Sequence, residues 1–136
     1  MEALPLRLTP GADLRAALEA ALGEHSQRAA VVISGIGSLS SARVRLAGAS
    51  EPTQLRGDLE ILTLAGTVGS DGAHLHMTVA DSAGRVMGGH VARGCIVRTT
   101  AEVALLLLPG WSFNRELDPA TGFAELVISR RAERPA

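Results

Sequence analysis

Only one stretch of the chain carries apolar residues at helical spacing. Its apolar positions recur at intervals of three and four residues, which is the pattern of an amphipathic helix with one buried face. The residues of that face are Leu14, Ala17, Leu18, Ala21 and Leu22. We expect this helix to end near Gly23, because glycine commonly follows the last turn of a helix.

Elsewhere apolar and polar residues alternate or form short apolar runs, and both patterns are typical of β-strands. The predicted strands cover residues 4–8, 30–33, 42–46, 59–65, 96–99, 101–108 and 122–128, with a further hairpin around three histidines. Pro5 indicates an edge position for the first strand, since proline cannot donate a ladder hydrogen bond. Residues 34–38 are predicted to close the second strand, and residues 47–54 to form a loop.

These elements predict an α+β domain. It would have a largely antiparallel β-sheet of six to eight strands and one main N-terminal amphipathic helix. The length of 136 residues is that of one domain with its own core. We expect that domain to cover residues 4–128, followed by a frayed C-terminal tail over residues 129–136.

Charge and aromatic content argue against a nucleic-acid surface. The chain has 13 basic residues, all of them arginine, against 14 acidic ones, and the formal net charge is −1. No basic block marks a phosphate-binding footprint. With two Phe, one Trp and no Tyr, the chain also offers little for base stacking.

Cysteine usage and apolar runs indicate the compartment. Cys95 is the only cysteine, so an internal disulfide is excluded, and its apolar neighbours suggest a structural thiol. The longest apolar run, residues 103–108, is too short to cross a bilayer, and the N-terminal segment lacks the pattern of a signal peptide. We therefore expect a cytoplasmic protein without a membrane contact.

Three of the four histidines lie within seventeen residues of one another, at positions 74, 76 and 90. His74 and His76 are two residues apart in a predicted strand, so they share one face of the sheet. The position of His90 depends on the turn between the two strands. A four-residue loop would pair Ala80 with Arg85 and send His90 to the opposite face.

A three-residue loop would pair Asp81 with Arg85 instead and set His90 opposite His76. Gly84 favours this second register, because the loop needs a residue at positive φ and glycine adopts it without strain. All three imidazoles would then share one face. Three neutral imidazoles that point to one spot leave a fourth position open on Zn²⁺ or a similar divalent metal.

Glu102 is the carboxylate that we select as a candidate catalytic partner of this site. The alternative is that Thr99-Thr100-Ala101-Glu102 is simply the edge of a strand. Asp71 and Asp81 are explained as turn residues. The segment Ser34-Gly35-Ile36-Gly37 is not a phosphate loop, because it lacks the third glycine, the lysine and a following helix.

A series of short motifs follows a known order along the chain. The motifs are Leu6-Arg7-Leu8, Gly11-Ala12-Asp13-Leu14, Ser34-Gly35-Ile36-Gly37-Ser38-Leu39, His74-Leu75-His76, Ala80-Asp81, Gly84-Arg85-Val86, Gly88-Gly89-His90, Thr99-Thr100-Ala101-Glu102 and Asp118-Pro119-Ala120-Thr121-Gly122. In this order they resemble the PPC (plants and prokaryotes conserved) domain, of the prokaryotic stand-alone type without an AT-hook. The resemblance extends over residues 4–128, nearly the whole chain.

The resemblance implies a fold similar to that of the zinc-dependent acetolactate decarboxylases and assembly as a homotrimer. It also implies a metal site, since His74, His76 and His90 match the metal-site positions of prokaryotic members. Plant members carry AT-hooks ahead of the domain, and prokaryotic members are labelled DNA-binding by that association. This sequence has no Arg-Gly-Arg-Pro hook.

Two functions from different classes follow. The first is a homotrimeric regulatory or binding module, labelled DNA-binding by resemblance, with a three-histidine metal site. The alternative is a zinc-dependent, lyase-like enzyme or a small-molecule sensor that uses the same histidines. In the alternative the ion would polarise a carbonyl or carboxylate of a small-molecule ligand.

Overall fold

The computed structural model describes residues 1–131, which form eight β-strands and one α-helix. The elements are β1 (Glu2–Leu8), α1 (Leu14–Glu24), β2 (Ala29–Arg45), β3 (Thr53–Gly69), β4 (Gly72–Ala80), β5 (Val86–Val91), β6 (Ile96–Leu107), β7 (Trp111–Asp118) and β8 (Phe123–Arg130). Within the described range no helix has the length and apolar character needed to span a membrane.

Six strands form one antiparallel sheet in the order β1-β6-β2-β3-β4-β5. Strand β5 also pairs with the end of β2, where Val44 lies opposite Val91 and Arg45 opposite His90. The sheet therefore curls until β5 meets β2. Strand β1 stays at the free edge, as Pro5 predicts. Strands β7 and β8 form a separate two-stranded hairpin.

Strands β2 and β3 are each 17 residues long, and the strand ends predicted at residues 34–38 and after residue 65 are wrong. Gly37 explains the first error. A Cβ at this position would lie 2.5 Å from the backbone oxygen of Thr100 on β6. Glycine here permits a close approach of two strands, so β2 continues past the position instead of ending there.

The predicted helix is confirmed, but the α+β class is wrong. The Oδ1 atom of Asp13 caps α1 by accepting a hydrogen bond from the backbone N–H of Ala16 at 3.0 Å. Leu14, Leu18 and Leu22 bury the predicted face. Strands make up 65% of the described residues and helix 8%. One 11-residue helix cannot form the helical layer of an α+β protein. The chain is instead a mostly antiparallel β fold.

The core between the helix and the curled sheet is almost entirely aliphatic, with Leu39, Leu75 and Leu105 among its fully buried side chains. Cys95 is buried there as well, and burial raises the pKa of its thiol. A protonated, inaccessible thiol is a packing group rather than a nucleophile.

The predicted domain limits at residues 4 and 128 stay a prediction. Strand β1 begins at Glu2, and β8 includes Ser129 and Arg130. Residues 132–136, which belong to the predicted frayed tail, lie outside the described residues.

Candidate metal centre

The turn between β4 and β5 has the three-residue register. The backbone N–H of Asp81 donates to the carbonyl oxygen of Arg85 at 2.9 Å, and Gly84 has a φ of +76°. His76 lies directly opposite His90. The Asp81 carboxylate accepts hydrogen bonds from the backbone N–H groups of Arg85 and Ala83, and these bonds hold its pKa below the usual range. The turn therefore sets the register on which the site depends.

This register brings the three imidazoles together on one face of β4 and β5. Nε2 of His74 lies 3.0 Å from Nε2 of His76 and 3.3 Å from Nδ1 of His90. The three potential ligand atoms all lie within 4.8 Å of one another. His76 is exposed, whereas His74 and His90 are half-buried. We call these three residues the histidine cluster.

The donor set of the histidine cluster fits a divalent metal. Nε2 of His74 lies close to a ring nitrogen of His76 and to one of His90. A ring nitrogen carries either one hydrogen or one lone pair, so Nε2 can form a hydrogen bond with at most one of them. Nitrogens bound tetrahedrally to Zn²⁺ at 2.0–2.1 Å are about 3.4 Å apart. The distances from Nε2 of His74 to the other two ring nitrogens, 3.0 and 3.3 Å, are close to this value. Three imidazole ligands also leave a coordination position for water or a ligand.

The surroundings keep two members of the cluster in the neutral form that can bind a metal. Burial lowers the pKa of His74, and the nearby Arg115, His76 and His90 lower it further, against the opposing effect of Glu125. Burial likewise lowers the pKa of His90, with His76 and Arg45 acting in the same direction. These shifts favour the neutral imidazole of His74 and His90, in which one ring nitrogen has a free lone pair for a metal and the other carries a hydrogen.

Helix α1 fixes the backbone beside two of the histidines. Oε1 of Glu19 accepts a hydrogen bond from the backbone N–H of Ala73, next to His74, at 3.0 Å. Arg15 donates to that same oxygen at 2.9 Å and to the carbonyl oxygen of Val91, next to His90, at 3.2 Å. Arg93 forms an ion pair with the other oxygen of Glu19. This arrangement, the Glu19 clamp, joins β4 to β5 from the helix side.

An open cleft of about 870 Å³ lies beside the histidine cluster. His74 and His90 are at its wall, and strands β7 and β8 contribute Arg115, Phe123 and Glu125. A cleft of this volume accommodates a small molecule. Its polar lining includes three arginines, Arg15, Arg45 and Arg115, and two carboxylates, Asp71 and Glu125.

The structure does not bring Glu102 to the histidine cluster within the chain. Glu102 pairs with Ile36 on β2, whereas His90 pairs with Arg45 of the same strand. Nine residues of extended strand separate these partners by about 30 Å. The side chain of Glu102 is exposed and does not line the cleft. Within one chain Glu102 therefore lies away from the histidine cluster, and its catalytic role stays a prediction.

Three charged residues of the cleft have no counterpart among the site residues predicted from the sequence: Arg45, Arg115 and Glu125. Arg115 and Glu125 lie on the β7–β8 hairpin, of which only β8 was predicted. Trp111-Ser112-Phe113-Asn114 alternates weakly, and that was the available signal for β7. Nothing in the local sequence indicates that this hairpin is bonded to the turn before β4.

Gly84→Val should weaken both the turn and the histidine cluster. A β-branched residue at a φ of +76° is strained, at a cost of about 1–2 kcal/mol. We expect a lower free energy of unfolding in urea and a larger Kd for Zn²⁺. Gly110→Ala is the matched control, because a Cβ meets nothing within 4 Å at either position and only Gly84 has a positive φ. Equal behaviour of the two variants would contradict the role of the turn.

A curled antiparallel sheet that presents three imidazoles beside an open cleft defines the class: a β-rich protein with a candidate metal centre. The sequence profile of the Plants and Prokaryotes Conserved (PCC) domain matches residues 1–109. The chain belongs to this family, as the order of its motifs predicted.

Solved structures share the fold over nearly the whole chain. A hypothetical protein from Salmonella is 38% identical, with a TM-score of 0.93, over 96% of this chain and 95% of that one. A metal-containing protein from Archaeoglobus fulgidus is 30% identical, with a TM-score of 0.80, over 93% and 94% of the two chains. A candidate DNA-binding protein from Bacteroides thetaiotaomicron is 21% identical, with a TM-score of 0.82, over 92% and 91%. At 21% identity the last similarity shows the fold alone.

Curated relatives carry a similar segment within a longer protein. The bifunctional protein GlmU of Synechococcus sp. strain JA-3-3Ab is 47% identical over 129 residues, which are 95% of this chain and 21% of that protein. The GlmU of a second Synechococcus strain is 47% identical over 131 residues. The chain thus spans about a fifth of the length of the curated relatives it matches.

Proposed function

We propose that the chain is a metal-binding module in which His74, His76 and His90 hold one divalent cation, Zn²⁺ or a similar ion, beside a small-molecule cleft. The observation that carries this proposal is the convergence of three ring nitrogens, two pairs of which are 3.0 and 3.3 Å apart. The Archaeoglobus protein, similar at 30% identity and described as metal-containing, supports the proposal. When bound, the ion would supply Lewis-acid chemistry to whatever occupies its open position.

Different groups of residues have different roles around that ion. The histidine cluster provides neutral nitrogen ligands on a rigid pair of strands, and the Glu19 clamp holds these strands in register. The cleft provides space for a ligand next to the open coordination position. Such a site serves a sensor, which returns its ligand unchanged, as well as a metal-dependent enzyme of the lyase type. Nuclear magnetic resonance of a bound ligand over hours separates these two, because only an enzyme converts it.

Metal content tests the proposal. Protein purified after growth with added zinc and extensive dialysis should contain about one equivalent of metal per chain by elemental analysis. His74→Ala and His90→Ala should each lose most of it, because two imidazoles alone bind Zn²⁺ weakly. His25→Ala is the control, since His25 follows α1 and bonds only to Ala21. Equal metal content in all four proteins would eliminate the site.

We further propose that the chain assembles as a homotrimer, with a second copy covering an apolar patch on β2 and β3. Ile36 is 52% exposed and Leu62 47%. The strand register on either side, Val31 with Thr67 and Gly37 with Ile61, sets these two side chains opposite each other on the outer face of the sheet. Exposed apolar side chains that adjoin one another favour an interface between copies.

Ile36→Asp should shift the protein toward the monomer, because a carboxylate buried in an interface costs several kcal/mol. Light scattering after gel filtration should give three chain masses for the wild type and a smaller mass for Ile36→Asp. Val86→Asp, at a 59% exposed position beside the β4–β5 turn, should leave the mass unchanged. A wild-type mass of one chain would refute the trimer. A trimer that persists in Ile36→Asp would mean that the interface lies on another surface of the chain.

Direct DNA binding has less support. Solved relatives described in those terms, from Bacteroides thetaiotaomicron and Ralstonia eutropha, are each similar at 21% identity, which shows the fold alone. The chain has a net charge of −1 and no basic block, whereas nonspecific DNA binding rests on phosphate neutralisation by basic residues. We therefore propose that any association with DNA goes through a partner rather than through this domain.

A further inference from the structure

The lining of the cleft is unbalanced in charge. The lining contains three arginines and two carboxylates, and a bound divalent ion would add two further positive charges. The imidazole side chains carry no negative charge that would compensate for it. A partly enclosed site with excess positive charge attracts an anion, and the attraction is stronger than it would be in open water.

Two of the arginines have guanidinium N–H groups available to a ligand. The guanidinium of Arg115 is half-buried and has no hydrogen-bond or ion-pair partner among residues 1–131, although the backbone N–H of the same residue is fixed at 2.8 Å by Asp71. The guanidinium of Arg45 makes one bond, to the carbonyl oxygen of Ala49 at 3.1 Å, and keeps its other donors. Arg15 differs, because its Nε and Nη1 atoms already donate to Glu19 and Val91 and hold its guanidinium in the Glu19 clamp.

These two arginines lie in the cleft with the histidines. Arg45 on β2 is directly opposite His90 on β5, and Arg115 lines the same cleft as His74. A guanidinium presents paired N–H groups that match the two oxygens of a carboxylate or phosphate. An oxyanion between them would also lie next to the open position of an ion on the histidines.

We propose that the cleft binds a small organic oxyanion, whose carboxylate or phosphate oxygens are held by Arg115 and Arg45 while one further oxygen faces the ion on the histidine cluster. Phe123 and Pro52 supply apolar surface in the cleft for the organic part of the ligand. This proposal rests on the proposed metal site and adds to it the chemical class of the ligand.

Cobalt(II) in place of zinc makes the binding visible, because its absorption spectrum changes when a new ligand enters the coordination sphere. The probes are glycolate for the carboxylate source and methylphosphonate for the phosphate source. Ethylene glycol, which replaces the glycolate carboxylate by a neutral alcohol, is the uncharged control. We expect at least one anion to change the visible spectrum with saturation, and ethylene glycol to leave it unchanged.

Arg115→Gln should raise the apparent Kd of the binding anion about tenfold or more, since a charge-assisted contact is lost. Arg45→Gln should raise it as well. Arg56→Gln removes an equal charge from an exposed position outside the cleft and should bind like the wild type. Circular dichroism of each variant checks that the fold is retained.

Absence of a spectral change with both anions would overturn the proposal, as would wild-type affinity in both Arg115→Gln and Arg45→Gln. The spectrum would also stay unchanged if the carboxylate of Glu125 occupied the position proposed for the anion. Failure of the metal site is a different result: cobalt would not be taken up in a histidine-dependent way. In that event calorimetric titration of the metal-free protein with the same anions decides whether the arginines bind them, and no binding there overturns the inference as well.

Discussion

Removing the metal from the wild-type protein should lower its melting temperature by about 10 °C, whereas the same treatment should leave His76→Ala unchanged. A ligand present at 100 to 1,000 times its Kd stabilises the folded state by about 3–4 kcal/mol. For a domain of this size, each kcal/mol shifts the melting temperature by several degrees. His76 is the exposed member of the cluster, so its replacement removes a ligand without opening a core cavity.

Differential scanning calorimetry with and without a zinc chelator, at one fixed protein concentration, measures this effect. His25→Ala should keep the full response to the chelator, because His25 lies outside the cluster. A chelator response of equal size in His76→Ala would mean that a bound ion, if there is one, uses other ligands. No response in the wild type would mean that metal binding contributes nothing to folding.

Glu19→Ala should have the second largest effect, because one carboxylate joins the helix to both histidine-bearing strands. Its side chain is 18% exposed and accepts from Ala73, Arg15 and Arg93. Its loss leaves the N–H of Ala73 and the guanidinium of Arg15 without their acceptor. We expect a decrease of about 2 kcal/mol in the free energy of unfolding. The Kd for zinc should rise about tenfold, as when other groups that orient metal ligands are lost.

Glu19→Gln keeps an acceptor for Ala73 but not the charge, and should fall between Glu19→Ala and the wild type in metal affinity. Asp58→Ala is the matched control, because it breaks the exposed ion pair with Arg98 and should cost at most about 1 kcal/mol. The cobalt spectrum of Glu19→Ala should also change if the histidines shift. Loss of stability with unchanged zinc affinity and an unchanged spectrum would reduce the clamp to a purely structural role.

The charge of Glu19 also predicts a dependence on pH. Burial raises the pKa of Glu19, but its bonds to Ala73 and Arg15 and the charge of Arg93 outweigh burial and hold the pKa below the usual range. The stabilisation is therefore complete above the pKa of an unfolded glutamate and is lost as the pH falls through the lower folded value. Unfolding experiments in this acidic range should show a weaker pH dependence in Glu19→Gln.

The histidine cluster could be predicted from the sequence because its geometry is local. His74 and His76 share a face through the two-residue period of a strand, and Gly84 selects the turn that sets His90 opposite His76. These relations span seventeen residues and one hairpin. Alternation and turn chemistry are sufficient to derive them.

The remaining features depend on contacts between distant segments. Glycines 35 and 37 resemble a turn in the sequence, but they let β2 pass close to β3 and β6. The helix is predicted correctly. Its share of the fold, and so the fold class, depends on how far the sheet curls. Arg115 reaches the cleft on a hairpin fixed to the turn before β4 by the bond from its N–H to Asp71. Glu102 was selected for its chemistry, and only the strand register shows how far it lies from His90.

The central claim is that one ion binds to three specified nitrogens. The most direct test is a crystal structure of the zinc-loaded protein with anomalous data collected on both sides of the zinc absorption edge. We expect one anomalous peak per chain within about 2.0–2.1 Å of Nε2 of His74, Nε2 of His76 and Nδ1 of His90. A histidine cluster without an anomalous peak, or a peak held by other residues, would contradict it.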